Sequence, residues 1–102
     1  MRFPLEPDDR VLILTLTNLE ILHAISNQLP DGLLVGIGSP DEVYEARRAL
    51  ANAENVMFNV ATPDEIPWRD CYFTVIIGPA IQPTAELQRV LAPGGRILTS
   101  VN

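Results

Sequence analysis

The chain has 102 residues, of which 7 are basic and 13 acidic, a formal net charge of −6 and a hydrophobic fraction of 47%. This length predicts a single domain over residues 1–102, and the apolar fraction excludes a disordered chain. One cysteine excludes an internal disulfide and a cysteine zinc site. The acidic balance argues against nucleic-acid binding, and the apolar stretches are too short to span a membrane. Because the start of the chain does not resemble a signal peptide, we expect a reducing, cytoplasmic location.

All seven basic residues are arginine, and the sequence contains no lysine. The absence of lysine excludes Schiff-base chemistry, a lysine general base and the phosphate-binding loop, in which lysine is obligatory. Arginine also stays charged at any working pH.

Apolar runs alternate with segments of helical period along the chain. The first run, Arg10–Leu16, shows no regular alternation and predicts a strand buried on both faces. Apolar residues then recur at helical spacing over Asn18–Leu29, with Thr17 or Asn18 as the cap, and a Pro-Asp-Gly turn ends this helix. Leu33–Ile37 predicts a second buried strand.

The second helix has the clearest start signal. Ser39 is placed as the N-cap, Pro40 lies in the first turn and Glu42 follows three residues after the cap, which together predict a capping box. We expect this helix to run to about Asn52. Asn55–Val60 then predicts a third strand.

The second half of the chain predicts two more strands and one helix. Thr62–Cys71 has two prolines and four charges, and we expect a surface loop too short for a full crossover helix. Tyr72–Ile77 predicts a fourth strand and Pro83–Leu91 a short helix. Pro93-Gly94-Gly95 predicts a turn, followed by a fifth strand over Arg96–Val101. Strands joined by crossovers must pair in parallel, so the fold class is α/β, a three-layer open sheet with helices on both faces.

Two segments resemble the class I S-adenosylmethionine-dependent methyltransferases. Over Asn55–Phe73 the chain contains Asn-Val-Met-Phe and then Ile-Pro-Trp-Arg-Asp-Cys-Tyr-Phe, similar to the family's Asn-Val-x-Phe and Leu-Pro-Phe-x-Asp-x-x-Phe-Asp. Over Leu87–Leu98 it contains Arg-Val-Leu-Ala-Pro-Gly-Gly-Arg, similar to the family's Arg-Val-Leu-Lys-Pro-Gly-Gly-Arg. The resemblance implies a Rossmann-like sheet of five parallel strands in the order 3-2-1-4-5, with ligands at the carboxyl ends. It also implies a truncated and degenerate member, without the family's lid helix and its strands 6 and 7.

The positions that bind the cofactor in that family depart from its pattern. The family's Asp-x-Gly-x-Gly turn after strand one aligns here with Ile13, Thr15 and Thr17, although glycine is needed where the backbone approaches the cofactor. The ribose-binding acid aligns with Gly38 and the adenine-binding acid with Thr62. The family-equivalent cofactor positions are therefore Thr15, Thr17, Asn18, Gly38 and Thr62, and we expect them to be non-functional.

Two acids lie close enough in sequence to replace the one missing after strand two. Asp41 or Glu42 could reach inward, although the capping box explains Glu42 better.

Each hydrogen bond to the cofactor that is lost costs about 0.5–1.5 kcal/mol, or about 1.5–3 kcal/mol where the acceptor is charged. Three such losses weaken binding by orders of magnitude, so we expect no cofactor, no catalytic residue and no metal.

Other chemistry-bearing residues have simpler explanations. Cys71 fits an ordinary loop cysteine better than a nucleophile, and His23 fits a helix-surface histidine better than a base. Trp68 could stack on a planar ligand, but it fits a loop anchor better. Gly78-Pro79-Ala80-Ile81 predicts a plain turn. The charged residues Asp64, Glu65, Arg69 and Asp70 predict a solvated loop rather than a metal site.

Three functions remain open. The first, which we expect, is a methyltransferase-like domain without cofactor binding or catalysis, a structural or interaction module with a protein partner. Its partner is expected to be a second copy, paired through the open edge of strand five over Gly95–Asn102 or through the adjoining helix. The alternative is an S-adenosylmethionine-dependent methyltransferase, reduced or one half of a split enzyme. The third is a module that binds another small ligand, with the helix start at Asn18 as an anion site.

Overall fold

The computed structural model describes residues 3–78 and 84–99. The elements in chain order are β1 (Arg10–Ile13), α1 (Leu19–Asn27), β2 (Leu33–Gly38), α2 (Pro40–Ala49), β3 (Val56–Val60), β4 (Phe73–Gly78), α3 (Ala85–Val90) and β5 (Leu91–Thr99). In this part of the chain, every helix is too short or too polar to cross a membrane.

The five strands form one open sheet in the order β3-β2-β1-β4-β5, and every neighbouring pair is parallel. This confirms the predicted order and direction. β1 is the central strand, and Val11, Leu12 and Ile13 are buried, as a strand covered on both faces requires. The carboxyl ends of all five strands lie at one edge of the sheet, which we call the carboxyl edge.

Alternation along the strands divides the buried residues between two cores. The first core lies under α1 and α2, and its members include Val11, Ile13, Leu22, Ile25, Val43, Val75 and Ile77. The second core lies on the opposite face, under α3 and the β3–β4 connection, and contains Leu12, Val35, Ile37, Ile66, Phe73, Ile76, Leu87 and Val90. Each fully buried aliphatic side chain stabilises the fold by about 1.5–3 kcal/mol.

Side-chain caps start the first two helices, as predicted. The Asn18 Oδ1 atom accepts a hydrogen bond from the Ile21 N–H at 3.2 Å. The capping box of α2 is complete, with the Ser39 N–H donating to Glu42 Oε1 at 2.9 Å and the Glu42 N–H donating to Ser39 Oγ at 3.3 Å. These bonds satisfy donors that the first helical turn leaves without partners.

The predicted turn before the fifth strand is wrong. β5 begins at Leu91, which pairs with Phe73 of β4. The next pair is Val75 with Arg96, so the pairing register shifts between these two pairs. The Pro-Gly-Gly segment is therefore a bulge inside the strand, where Gly94 has a φ of 78° and supplies the left-handed residue.

Other predicted element boundaries also differ from the structure. β1 ends at Ile13 rather than Leu16, because the chain leaves the sheet after the Leu14 N–H has bonded to the Ile77 carbonyl at 2.9 Å. The remaining boundaries are unchanged or shift by at most three residues. The predicted ends at Pro83 and Val101, and the segment Pro79-Ala80-Ile81, lie outside the described residues.

The β3–β4 connection contains no helix, as its length predicts. It folds instead as a turn around Thr62 and Glu65, and Ile66 enters the second core with only 3% of its surface exposed. Trp68 packs beside this core against Tyr72.

Arg89 of α3 binds this connection to the helix. Its Nη2 atom donates to the Ile66 carbonyl at 2.8 Å, and Nη1 donates to the Trp68 carbonyl at 2.8 Å and to Asp70 Oδ1 at 2.7 Å. Its Nε atom donates to Glu86 Oε1 at 2.6 Å, while Glu86 Oε2 accepts from the Ile66 N–H at 2.7 Å. Glu86 and then Asp70 raise the pKa of Arg89 above its ordinary value, so the guanidinium stays charged.

Glu86 makes the fold sensitive to acid. Hydrogen bonds from Arg89, and then from the Ile66 N–H, lower the pKa of its carboxyl to about 2. In the unfolded chain a glutamate has a pKa of about 4.3. The ionised Glu86 carboxyl therefore stabilises the fold fully above that pH, and this stabilisation is lost as the pH falls towards the pKa of the folded state. We expect the urea midpoint to fall more steeply between about pH 5 and about pH 2 in the wild type than in Glu86→Gln.

The control is Glu20→Gln, because Glu20 is exposed in the first turn of α1 and outside this network. The difference in slope between the two variants isolates the effect of the network. Parallel urea midpoints for the wild type and Glu86→Gln over this pH range would contradict the assignment.

Candidate functional site

A cavity of about 400 Å³ opens at the carboxyl edge, between the ends of β2 and β3. Open parallel sheets bind ligands at this edge. Its lining includes Gly38, Glu42 and Thr62, together with the apolar side chains Ile37 and Val60. The lining therefore offers one carboxylate and two hydroxyls, those of Ser39 and Thr62, on a mainly apolar surface.

The loop between β1 and α1 satisfies its polar side chains internally. Thr15 Oγ1 and Thr17 Oγ1 are hydrogen-bonded at 3.0 Å, and the Asn18 amide oxygen is used by the Ile21 N–H. None of these three predicted positions lines the cavity. An anion site at Asn18 would have to compete with the cap that the side chain already makes.

Leu16 fills the space between this loop and β2. Only 2% of its surface is exposed. A Cβ atom added at Gly36 would lie 2.5 Å from Leu16 Cδ2, and one added at Gly38 would lie 3.1 Å from Leu16 Cδ1. β2 therefore passes close beneath Leu16 only because both positions lack side chains. Sequence reasoning missed this contact, for which the two glycines of β2 were the available signal.

The Glu42 carboxylate lies beside Gly38, the position that aligns with the ribose-binding acid of the methyltransferases. A Cβ atom at Gly38 would lie 2.7 Å from Glu42 Oε1, so this oxygen occupies the place where a side chain of residue 38 would begin. The same oxygen closes the capping box with the Ser39 N–H. Asp41, the other candidate acid, is exposed and does not line the cavity. Glu42 thus performs the capping role and also faces the cavity.

Thr62 lies on the opposite wall of the cavity. It is exposed, and its carbonyl accepts a hydrogen bond from the Glu65 N–H at 3.1 Å. The neighbouring Ala61 N–H donates to the Gly38 carbonyl at 3.2 Å. This bond joins the ends of β2 and β3, and so brings Gly38 and Thr62 to the same cavity.

The remaining candidates lie away from the cavity. Trp68 stacks on Tyr72 with 5.1 Å between ring centroids and meets the edge of Phe73 at 5.5 Å, as a loop anchor would. Cys71 is exposed, with a φ of 57°, and His23 is exposed on α1. Within residues 3–78 and 84–99, no group of three or more His, Cys, Asp or Glu side chains could hold a metal ion.

Several solved structures with the same architecture are methyltransferases. No protein-family model and no curated protein sequence matches the chain. A complex between the Haloferax volcanii Trm112 methyltransferase activator and a methyltransferase contains a chain that is 29% identical, with a TM-score of 0.74 over 92% of this chain. An S-adenosylmethionine-dependent methyltransferase from Aquifex aeolicus is 22% identical, with a TM-score of 0.76 over 87% of this chain. The chain has the fold of the class I S-adenosylmethionine-dependent methyltransferases.

The fold predicted from the resemblance is thus confirmed. This chain spans 45% of the length of the Haloferax protein and 54% of the Aquifex protein. The cyclase SpnF is also similar, with 20% identity and a TM-score of 0.76 over 95% of this chain and 40% of its own. Since its name describes a cyclase, a methyltransferase-like fold does not by itself specify the reaction.

Gly36→Ala tests the close packing beneath Leu16. The added Cβ would lie 2.5 Å from Leu16 Cδ2 and 2.9 Å from Phe58 Cδ1. We expect the free energy of unfolding to fall by about 1–3 kcal/mol, the usual cost of overpacking a core. Urea denaturation followed by circular dichroism measures this loss.

The variant Leu16→Ala provides the control, because it removes one of the two clashing side chains. Gly36→Ala should then cost less in the Leu16→Ala background than in the wild type. Strictly additive losses would show that Leu16 does not limit the space over Gly36.

Proposed function

We propose that this chain is a methyltransferase-like module that does not bind S-adenosylmethionine and acts through protein contacts. The observation that carries the proposal is the burial of Leu16 against Gly36 and Gly38. A cofactor held in the manner of the family would require the first loop to approach it through its backbone. In this chain the loop carries side chains at these positions, and that of Leu16 packs on β2.

The polar side chains of the loop between β1 and α1, and Thr62 in the cavity, also support this function. In the loop, the hydroxyls of Thr15 and Thr17 are bonded to each other, and Asn18 caps α1. Thr62 is uncharged where the family has an acid. A ligand would therefore have to break existing hydrogen bonds, and each one lost costs about 0.5–1.5 kcal/mol.

Isothermal titration calorimetry with S-adenosylmethionine and S-adenosylhomocysteine tests the absence of cofactor binding. We expect no measurable heat of binding at sub-millimolar concentrations. The triple variant Ile13→Asp/Thr15→Gly/Thr17→Gly should not become an enzyme, because Leu16 keeps its packing on β2. A clean micromolar isotherm for the wild type would refute the proposal.

A second candidate function, an S-adenosylmethionine-dependent methyltransferase, is favoured by one observation. The Glu42 carboxylate lies beside Gly38 and faces the cavity, so it could accept hydrogen bonds from ligand hydroxyls. If a micromolar isotherm is found, Glu42→Gln should weaken it. The matched variant Glu45→Gln, at an exposed position of the same helix, should leave it unchanged.

The protein contact is proposed to be a homodimer through the open side of β5. β5 pairs with β4 on one side and has no strand of the described residues on the other. Ile97 packs against the second core and Leu98 against the first, so the strand's backbone rather than these side chains would form the contact. Unpaired backbone groups at such an edge favour pairing with another strand.

Light scattering at tens of micromolar protein tests the dimer. Thr99→Lys places a charge at an exposed position of β5 and should shift the mass towards the monomer. Thr62→Lys, the same substitution at an exposed residue away from β5, is the control. A monomer mass for the wild type at every concentration would exclude the dimer, and an unchanged dimer in Thr99→Lys would place its contact elsewhere.

A further inference from the structure

Tyr72, immediately before β4, holds two arginines around its ring. The guanidinium carbon of Arg10 lies 5.1 Å from the ring centroid, and that of Arg69 lies 4.8 Å from it. Trp68 stacks on the same ring at 5.1 Å with an interplanar angle of 29°. The Nε atom of Arg10 also donates to the Tyr72 carbonyl at 2.6 Å. We call these four residues the arginine–tyrosine cluster.

The two guanidinium groups of this cluster are not neutralised by the described residues. The ion pairs of residues 3–78 and 84–99 involve Arg48, Arg89 and Arg96. Asp70, the acid next to Arg69 in sequence, is engaged by Arg89 at 2.7 Å. The cluster thus concentrates two positive charges on a chain whose net charge is −6.

Stacking on an aromatic ring positions a guanidinium group without using its hydrogen-bond donors. The N–H groups lie in the plane of the guanidinium and remain available at its edge. A carboxylate can accept two of them in parallel, which makes arginine the preferred partner for such groups. In the cluster, one arginine is fixed by its Nε hydrogen bond and both are held at the same ring.

We propose that the arginine–tyrosine cluster docks an acidic peptide segment of a partner protein, whose carboxylates accept hydrogen bonds from Arg10 and Arg69. A nucleic acid carries one charge about every 1.7 Å along its whole length and would be repelled by the net charge of −6 of this chain. A short acidic segment needs only the local positive charge. The proposal rests on the interaction role proposed above, and it adds a partner with an acidic segment to the second copy of this chain proposed there. The cofactor titration tests the other part of that role, so the two can fail separately.

The intrinsic fluorescence of Trp68 provides a direct test. Trp68 is the only tryptophan in the chain and stacks on Tyr72, so a ligand bound at the cluster changes its emission. The probe is a capped peptide of alternating glutamate and glycine, titrated into the wild-type protein at low ionic strength. We expect a saturable change in emission. The affinity obtained from it should fall as the salt concentration rises to about 0.15 M.

Substitution of Arg69 identifies the site. Arg69→Gln should weaken the affinity about two- to fivefold, the range expected for an exposed ion pair. Arg48→Gln is the matched control, because Arg48 is also exposed and lies 5.8 Å from the ring centroid of another tyrosine, Tyr44. Circular dichroism confirms that both variants fold.

Five results would overturn the proposal. The first four are the absence of a saturable change, equal affinities of the wild type and Arg69→Gln, an equal response to a peptide with glutamine in place of glutamate, and a response to inorganic phosphate without one to the acidic peptide. An equal loss of affinity in Arg48→Gln would also overturn it, since the effect would then reflect overall charge.

Discussion

The packing of Leu16 onto β2 constrains the whole carboxyl edge of the sheet. Because Leu16 lies against Gly36 and Gly38, neither position can carry a side chain unless its neighbours move. The glycine at the end of β2 also leaves the space into which the Glu42 carboxylate turns, and this carboxylate completes the cap of α2 with Ser39. The first loop, the second strand and the second helix are therefore fitted to one another by an apolar contact, and the chemistry of the cavity follows from it.

A polar network replaces the helix that is missing between β3 and β4. Glu86 and Arg89 are three residues apart on α3, so even a short helix presents both to the same side. Backbone groups of Ile66 and Trp68, which a helix would satisfy internally, find their partners in these two side chains. With its backbone satisfied, the connection can bury Ile66 in the second core. This contribution is electrostatic, whereas the opposite face of the sheet depends on the apolar faces of two helices.

Sequence patterns predicted the structure well where a residue pattern is typical of one local structure only. Ser39 followed by Glu42 has few interpretations other than a capping box, and the structure contains it. The Pro-Gly-Gly segment fits both a turn and a bulge, because a glycine of positive φ serves either, and the start of β5 was predicted wrongly for that reason. The strand order came from family resemblance rather than from periodicity. The contacts of Leu16 and Arg89 join residues distant in sequence, and no local pattern encodes them.

The bulge in β5 gives the chain a place where its length can change. A Cβ atom at Gly94 would meet no other atom within 4 Å, so the bulge faces open space at this residue. Beyond it, Ile97 packs against one core and Leu98 against the other. If the loss of one bulge residue moved the later pairs of β5 by one position, Ile97 and Leu98 would exchange faces, since side chains alternate along a strand. Both side chains are aliphatic and equal in the number of carbon atoms, so either face would still receive an apolar group. The last strand of the sheet can thus accommodate an insertion or a deletion. In a strand with alternating polar and apolar side chains, the same change would expose the apolar side chains to water.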